Sequence, residues 1–215
     1  MLPIASVPRL WPGATFVCLG SGPSLSASDV SLVGAARRAC NLRVIAINDT
    51  YALAPWADVL YAPDEKWWGW HGDHVSRVYH GLKYTLATDG PAEAAGALRL
   101  NFRSGGGLTD DPTTVMTGGH SGPQAINLSV HLGAARVVLL GYDLQAAPSN
   151  GSDHYFGAHP DCSRVPYESQ RDVYTSLVAP LHAQGITIVN ATRATAITAI
   201  PRVRLEDVLC TPWYP

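Results

Sequence analysis

The sequence predicts an α/β fold: a Rossmann-like, mainly parallel sheet flanked by helices, with an irregular insertion or lid at 81–112. Three observations predict it. Apolar runs of strand length recur along the chain with helical stretches between them. Each run ends in small or polar residues, and a Gly-rich turn twice stands directly before a helix. Strands that alternate with helices are joined by crossovers, the connection that parallel sheets use.

The 215 residues suit one domain, 1–215. Hydrophobic residues make up 47% and charged residues 15%, an ordinary core under a lightly charged surface, which argues against disorder. The formal net charge is −2 and the 15 Lys and Arg residues form no run, so charge gives nucleic acid no support as a partner. The start, Met1 to Pro8, has neither a basic cluster nor a long apolar stretch. No signal peptide, transmembrane span or membrane partner is expected, and the expected location is cytoplasmic. Cys18, Cys40, Cys162 and Cys210 are widely spaced, with no Cys-x-x-Cys pair. That pattern predicts reduced thiols, with Cys18 in the core, and neither a zinc site nor a disulfide framework. The sequons at Asn127, Asn150 and Asn190 are then chance occurrences.

The first strand is Thr15 to Leu19, feeding the turn Gly20-Ser21-Gly22-Pro23-Ser24-Leu25. Ser26 or Ser28 can cap a helix reaching Ala39, with Val30, Leu32, Val33 and Ala36 toward the sheet. Arg43 to Ile47 is a second strand ending at Asn48-Asp49, and Asp58 to Ala62 a third ending at Pro63-Asp64. Ligands in such sheets sit at the strand C-terminal ends, so Gly20, Asn48 and Asp64 are expected along one edge. Lys66 to His80 opens a short helix rich in Trp and His. The pattern weakens from Gly81 to Pro112, where Leu98 to Phe102 is a short strand and Ser104 to Gly107 a loop. The turn Thr117-Gly118-Gly119-His120-Ser121-Gly122 precedes a buried helix, Pro123 to Leu132, that stops at Gly133. Arg136 to Leu140 is a strand ending at Gly141-Tyr142-Asp143. A polar loop, Ser149 to Pro166, holds Asp153-His154-Tyr155-Phe156-Gly157 and His159. Glu168 to Gln184 is a helix with Val173, Leu177, Val178 and Leu181 on one face, stopping at Gly185. Ile186 to Asn190 is the last strand, and Arg204 to Leu209 a short helix.

The first Gly-rich turn carries the first functional expectation. A strand, a tight turn and a helix N-terminus aim backbone N–H groups at one spot, which suits a phosphate. The turn is not the dinucleotide fingerprint, because Leu25 stands at its third Gly, and no Gly-Lys-Ser/Thr makes it a Walker A loop. A plain βα turn without a ligand is the competing reading.

Taken in order, Gly20 to Leu25, Ala46-Ile47-Asn48, Thr117 to Gly122, Leu139 to Asp143 and Asp153 to Gly157 resemble the bacterial family 42 sialyltransferases. They also resemble the related archaeal 6-hydroxymethylpterin pyrophosphokinase-like proteins and their phage relatives. The resemblance runs from about Thr15 to Asn190, with 81–112 unmatched. It implies that Gly20, Ser21, Gly22, Pro23 and Ser24 contact the nucleotide phosphate and ribose, with Asn48 beside the nucleotide. It implies that Thr117, Gly118, Gly119, Ser121 and Gly122 line the ribose and base or the donor group. His154 falls where the sialyltransferases place their catalytic base, followed by Tyr155 as in their His-Tyr pair. Tyr142 and Tyr155 are candidates for assisting departure of the phosphate.

The resulting expectation is a transferase that binds a nucleotide or nucleotide-sugar and passes the sugar to a hydroxyl acceptor of unknown identity. A neutral imidazole, with a pKa of about 6.5, suits the base. No cofactor is required on that reading. The alternative is Mg²⁺-assisted diphosphate or phosphoryl transfer, with Asp64 and Asp143 near the phosphates and His154, His159, Asp153 and Asp161 as further ligands. Asp49, Asp64 and Asp143 could equally cap helices or hold loops. A non-catalytic nucleotide-binding protein is the third reading. His71, His74 and His80 with Asp73 are expected on a surface helix, not in a zinc site. Trp67, Trp68 and Trp70 suit packing slightly better than stacking on a ligand, and exposed Trp would fit a homo-oligomer. Gly119-His120-Ser121-Gly122 lacks the Gly-x-Ser-x-Gly elbow, so Ser121 is not expected as a nucleophile.

Overall fold

The run Phe16-Val-Cys-Leu19 is apolar on both faces, which only a strand covered on both sides can accommodate. In the computed structural model, which describes residues 1–88, 90–147, 152–157 and 167–210, it forms the centre of the sheet. Strand β1 (Ala14–Leu19) pairs in parallel with β2 (Leu42–Ile47) on one side and β8 (Ala134–Leu140) on the other. Beyond β2 lie β3 (Val59–Tyr61), β4 (Leu82–Thr85) and β5 (Leu98–Arg99); beyond β8 lies β9 (Thr187–Asn190). The order is β5-β4-β3-β2-β1-β8-β9, all parallel. The chain builds outward from β1 in one direction, then returns to β1 and builds the other way. The sheet therefore switches between β1 and β8.

Alternate side chains of the strands feed two cores. Val17, Leu19, Val44, Ala46 and Leu60 pack under α1 (Ala27–Ala39), α2 (Glu65–Val78) and α6 (Leu205–Val208). Phe16, Cys18, Ile45, Val59 and Tyr61 pack under α4 (Ser121–Leu132) and α5 (Tyr167–Ala183). Helix α4 is buried from Gly122 to Leu132, and Gly133 ends it at φ +110°. Ser26 caps α1 by accepting from the Asp29 N–H at 3.1 Å.

Four expectations change. Leu32 is 38% exposed, because the stripe Val30, Val33, Ala36 recurs every three residues and leaves Leu32 on the far side. The segment 81–112 is not wholly irregular. Strands β4 and β5 extend the sheet, α3 (Pro91–Ala94) lies between them, and β6 (Asn101–Arg103) pairs with β7 (Thr114–Met116). Only Tyr84 and Thr85 of β4 are buried, so no long apolar run announces the strand. The helix expected to be short has 14 residues. Finally, Cys40 and Cys210 form a disulfide between the end of α1 and the residues just past α6. Their separation of 170 residues leaves no local spacing to read. Among the described residues, no helix is long and apolar enough to cross a membrane.

Candidate functional site

Where the sheet switches, the turns after β1 and β8 interlock. Gly20 N–H donates to Leu140 O and Gly22 N–H to Gly141 O, both at 2.8 Å. A Cβ on Gly20 would lie 2.6 Å from Gly141 O, and one on Gly141 would lie 2.2 Å from Gly20 O. Gly141 also has φ +74°, a conformation that favours glycine. The glycines of the first turn thus have a packing reason. Ser24 N–H donates to Asp143 Oδ2 at 2.9 Å and Leu25 N–H to Gly22 O at 3.0 Å, so the turn spends these donors internally. The N-terminus of α1 is met by Asp29, which Arg193 grips in two hydrogen bonds of 2.6 and 2.7 Å. That pairing holds the Asp29 carboxyl below its usual range. The Gly20, Gly22, Ser24 and Leu25 N–H groups of the turn are therefore engaged by the protein's own acceptors.

A cavity of about 320 Å³ opens beside these turns at the C-terminal edge of the strands. Of the expected residues, Gly20, Ser21, Gly22, Asn48, Ser121, Gly122, Tyr142, Asp143 and His154 line it. Asp64 and Gly119 line an adjoining cleft of about 450 Å³, which shares His120 and Ser121 with the first. The remainder line neither cavity. Pro23 belongs to the interlocked turn. Ser24 fastens that turn to Asp143 and exchanges hydrogen bonds with Ala194. Thr117 O accepts from Gln124 Nε2, and Gly118 bends at φ +53°. Asp49 accepts from Trp67 Nε1 at 2.6 Å and lies 3.4 Å from His71 Nε2, holding α2 in place. Tyr155 N–H donates to Ser21 O at 2.8 Å while its ring is exposed against Phe156. His159 and Asp161 lie outside the described residues.

His154 Nδ1 is 3.3 Å from Ser21 Oγ, and its carbonyl accepts from Ser152 Oγ at 2.8 Å. The loop bearing the expected base is thus fastened to the β1 turn through Ser21 at both backbone and side chain.

Sequence reasoning gave His120 no role of its own within the second Gly-rich turn and passed over Gln170 and the tyrosines of α5. His120 precedes α4, with Nδ1 3.1 Å from Gly118 O and Nε2 2.9 Å from Tyr174 OH. A carbonyl only accepts, so Nδ1 carries the proton and Nε2 accepts from Tyr174. Burial lowers its pKa to about 4, leaving the ring neutral at pH 7. Tyr142 OH donates to Gly122 O, and Tyr167 OH to Asp153 Oδ1 at 2.5 Å. The signal for His120 was its place in the second Gly-rich turn; Tyr174 and Tyr167 read only as helix residues.

Two acceptors stand out. Asp143 is 2% exposed, and its Oδ1 has no hydrogen-bond partner among the described residues. Burial pushes its carboxyl up, against the Ser24 hydrogen bonds. Asn48 donates through Nδ2 to Ser121 Oγ at 3.3 Å, but its buried Oδ1 has no partner among the described residues. Asn48 adopts φ +50° and Leu144 φ +48°, strained backbone on two sides of one cavity. Among the described residues, neither cavity is lined by Lys or Arg, while Asp143 and Asp153 line the first and Asp64 and Glu65 the second.

Outside the cavity, Trp67 and Trp68 are buried and Trp70 is 46% exposed. His71 and His74 both approach Tyr51 OH through Nδ1, at 3.3 and 2.9 Å, whereas exposed His80 lies just past the end of α2 and not on the helix as expected. Among the described residues, no three His, Cys, Asp or Glu side chains are grouped to enclose a metal ion. Asn127 and Asn190, two of the sequon residues, are fully buried. Compared with family models, curated proteins and solved structures, the chain finds no match.

Proposed function

We propose that the cavity binds a nucleotide or nucleotide-sugar and that the protein transfers the sugar to a hydroxyl acceptor, with His154 as base. The observation that carries this reading is position. The cavity lies outside the strand C-termini where the sheet switches, the place at which open α/β sheets bind ligands. His154 is on its wall. Helix α4 supports an anion better than α1 does. It begins at the cavity, with no acidic residue in its first turn and no side-chain cap, leaving its first N–H groups without an acceptor in the helix.

In this reading His154 takes the acceptor's hydroxyl proton. The acceptor oxygen bonds to the anomeric carbon as the bond from that carbon to phosphate oxygen breaks, and the nucleotide leaves with the electron pair. Mg²⁺-assisted diphosphate transfer would use the same cavity and differ in its product. A thermal-shift panel of nucleotides and nucleotide-sugars, with and without Mg²⁺, tests occupancy. A ligand at 100 times its dissociation constant adds about 2.7 kcal/mol of stability. For the panel's best donor, His154→Ala should lower turnover by about 10²–10⁴-fold with donor binding retained. A flat panel would refute the reading; unchanged turnover in the variant would remove His154 from it.

A further inference from the structure

We infer that Asp143 and Asn48 form a divalent-cation site in the cavity, so that a nucleotide enters as its metal complex. This rests on a nucleotide being the occupant.

The first observation is the buried carboxylate oxygen of Asp143. Oδ2 is satisfied by Ser24 N–H, while Oδ1 has no partner among the described residues although the residue is 2% exposed. A desolvated carboxylate oxygen without a donor or cation is unfavourable, so a group beyond the described residues is expected to meet it. Gly22 lets the backbone of the first turn approach this oxygen closely, since a methyl group there would lie only 2.2 Å from it. The second observation is Asn48 Oδ1, also buried without a partner in the same cavity, on a residue held at φ +50°. Neutral and charged oxygens of this type are the donors that hard cations take.

Charge decides between a cation and a hydroxyl donor. Either could satisfy one oxygen. A phosphate, however, would add negative charge to cavities already lined by four carboxylates, Asp143, Asp153, Asp64 and Glu65, with no Lys or Arg among the described lining residues. The three cavity tyrosines cannot offset this as they stand, since each hydroxyl proton is engaged by Gly122, His120 or Asp153. A bound cation supplies the missing positive charge. Mg²⁺ is commonly held by one or two carboxylates plus the substrate's phosphates, a mode that needs no group of three ligating side chains such as is absent among the described residues.

Mn²⁺ titrated alone, and then with cytidine 5′-diphosphate, reports the site through loss of the free-ion electron paramagnetic resonance signal. Wild type should bind Mn²⁺ in at least one of these arms. Asp143→Asn should weaken it at least tenfold, and Asn48→Gly, which keeps the left-handed backbone, several-fold. By calorimetry, EDTA should weaken cytidine 5′-diphosphate at least tenfold in wild type and hardly at all in Asp143→Asn. Thermal unfolding establishes that each variant is folded. Nucleotide binding that ignores EDTA in wild type would overturn the cation site while leaving the proposed occupant intact. Equal Mn²⁺ binding by wild type and Asp143→Asn would overturn the assignment of ligands. Absence of both Mn²⁺ and nucleotide binding would overturn both readings.

Discussion

Replacing Gly22 with alanine tests whether the two turns at the switch point are interlocked. The new methyl would lie 2.2 Å from Asp143 Oδ1 and 2.6 Å from Gly141 O, whereas Cβ contacts essentially never fall under 3.0 Å. A gap of about 0.8 Å must open, the difference between 3.0 and 2.2. Neither neighbour is free to give. Gly141 O accepts from Gly22 N–H, and Asp143 is held by Ser24 N–H. Overpacking costs about 1–3 kcal/mol, and each hydrogen bond lost in relaxing adds about 1 kcal/mol. We expect a loss of about 3 kcal/mol, lowering Tm by about 6–12 °C in a chain of this size. The control is Gly69→Ala in exposed α2, where nothing lies within 4 Å of the new methyl. There the same change should stabilise by about 0.5–1 kcal/mol, because glycine inside a helix is unfavourable. Thermal and urea unfolding of the pair read both signs. If Gly22→Ala melts at or above wild type while Gly69→Ala rises as expected, the glycines of the first turn are not there for packing.

Three further outcomes follow from burial and linkage. Trp68 is fully buried and donates Nε1–H to Ala62 O and Thr85 Oγ1, so Trp68→Ala should cost about 3–5 kcal/mol in urea unfolding; a loss under about 1 kcal/mol would contradict the packing. Opening the Cys40–Cys210 bridge frees a loop of 170 residues, worth about 5 kcal/mol by chain entropy. Reductant should therefore lower the urea midpoint of wild type and leave Cys210→Ser unmoved. His120 has a folded pKa of about 4 against about 6.5 when unfolded. The unfolded chain takes up a proton first, so the stability is complete above pH 6.5 and lost as pH falls toward 4. The loss is at most about 3 kcal/mol, reduced by solvent at the partly exposed ring, and His120→Gln should flatten that limb of the stability–pH curve. Parallel curves would show that His120 does not titrate as the buried ring described.

The parts of the fold visible in the sequence were those coded locally. Phe16 to Leu19 reads as a two-faced strand, Ser26 as a cap and Gly133 as a helix stop, because each signal depends on residues within one turn or one strand. Strand β4 escaped because Lys83 interrupts its apolar side chains, and its place is set by β3 beside it. Much of the site was legible for a similar reason: Gly20, Asn48 and Asp143 all follow strands, and parallel strands carry their successors to one edge. His120 and Tyr174 were not, since their hydrogen bond joins residues 54 apart and forms only when α4 and α5 stack. Asp49, expected among the nucleotide contacts or else as a loop-holding residue, is placed by a longer-range contact. It follows a strand as Asn48 does, yet a 3₁₀ turn carries it to α2 and the Trp67 indole.

The position of β1 also sets an order on synthesis. Its neighbour β2 emerges soon after it, but β8 comes more than a hundred residues later. Until then a growing chain can assemble β1 to β5 only with one side of Phe16 to Leu19 unzipped, an apolar edge able to recruit a stranger's strand. A chain released at Gly107 would carry that edge permanently and lack Asp143, His154 and most of the cavity. The central strand is thus sealed only from the far half of the chain, and no amino-terminal fragment that stops short of β8 can both cover β1 and carry the cavity.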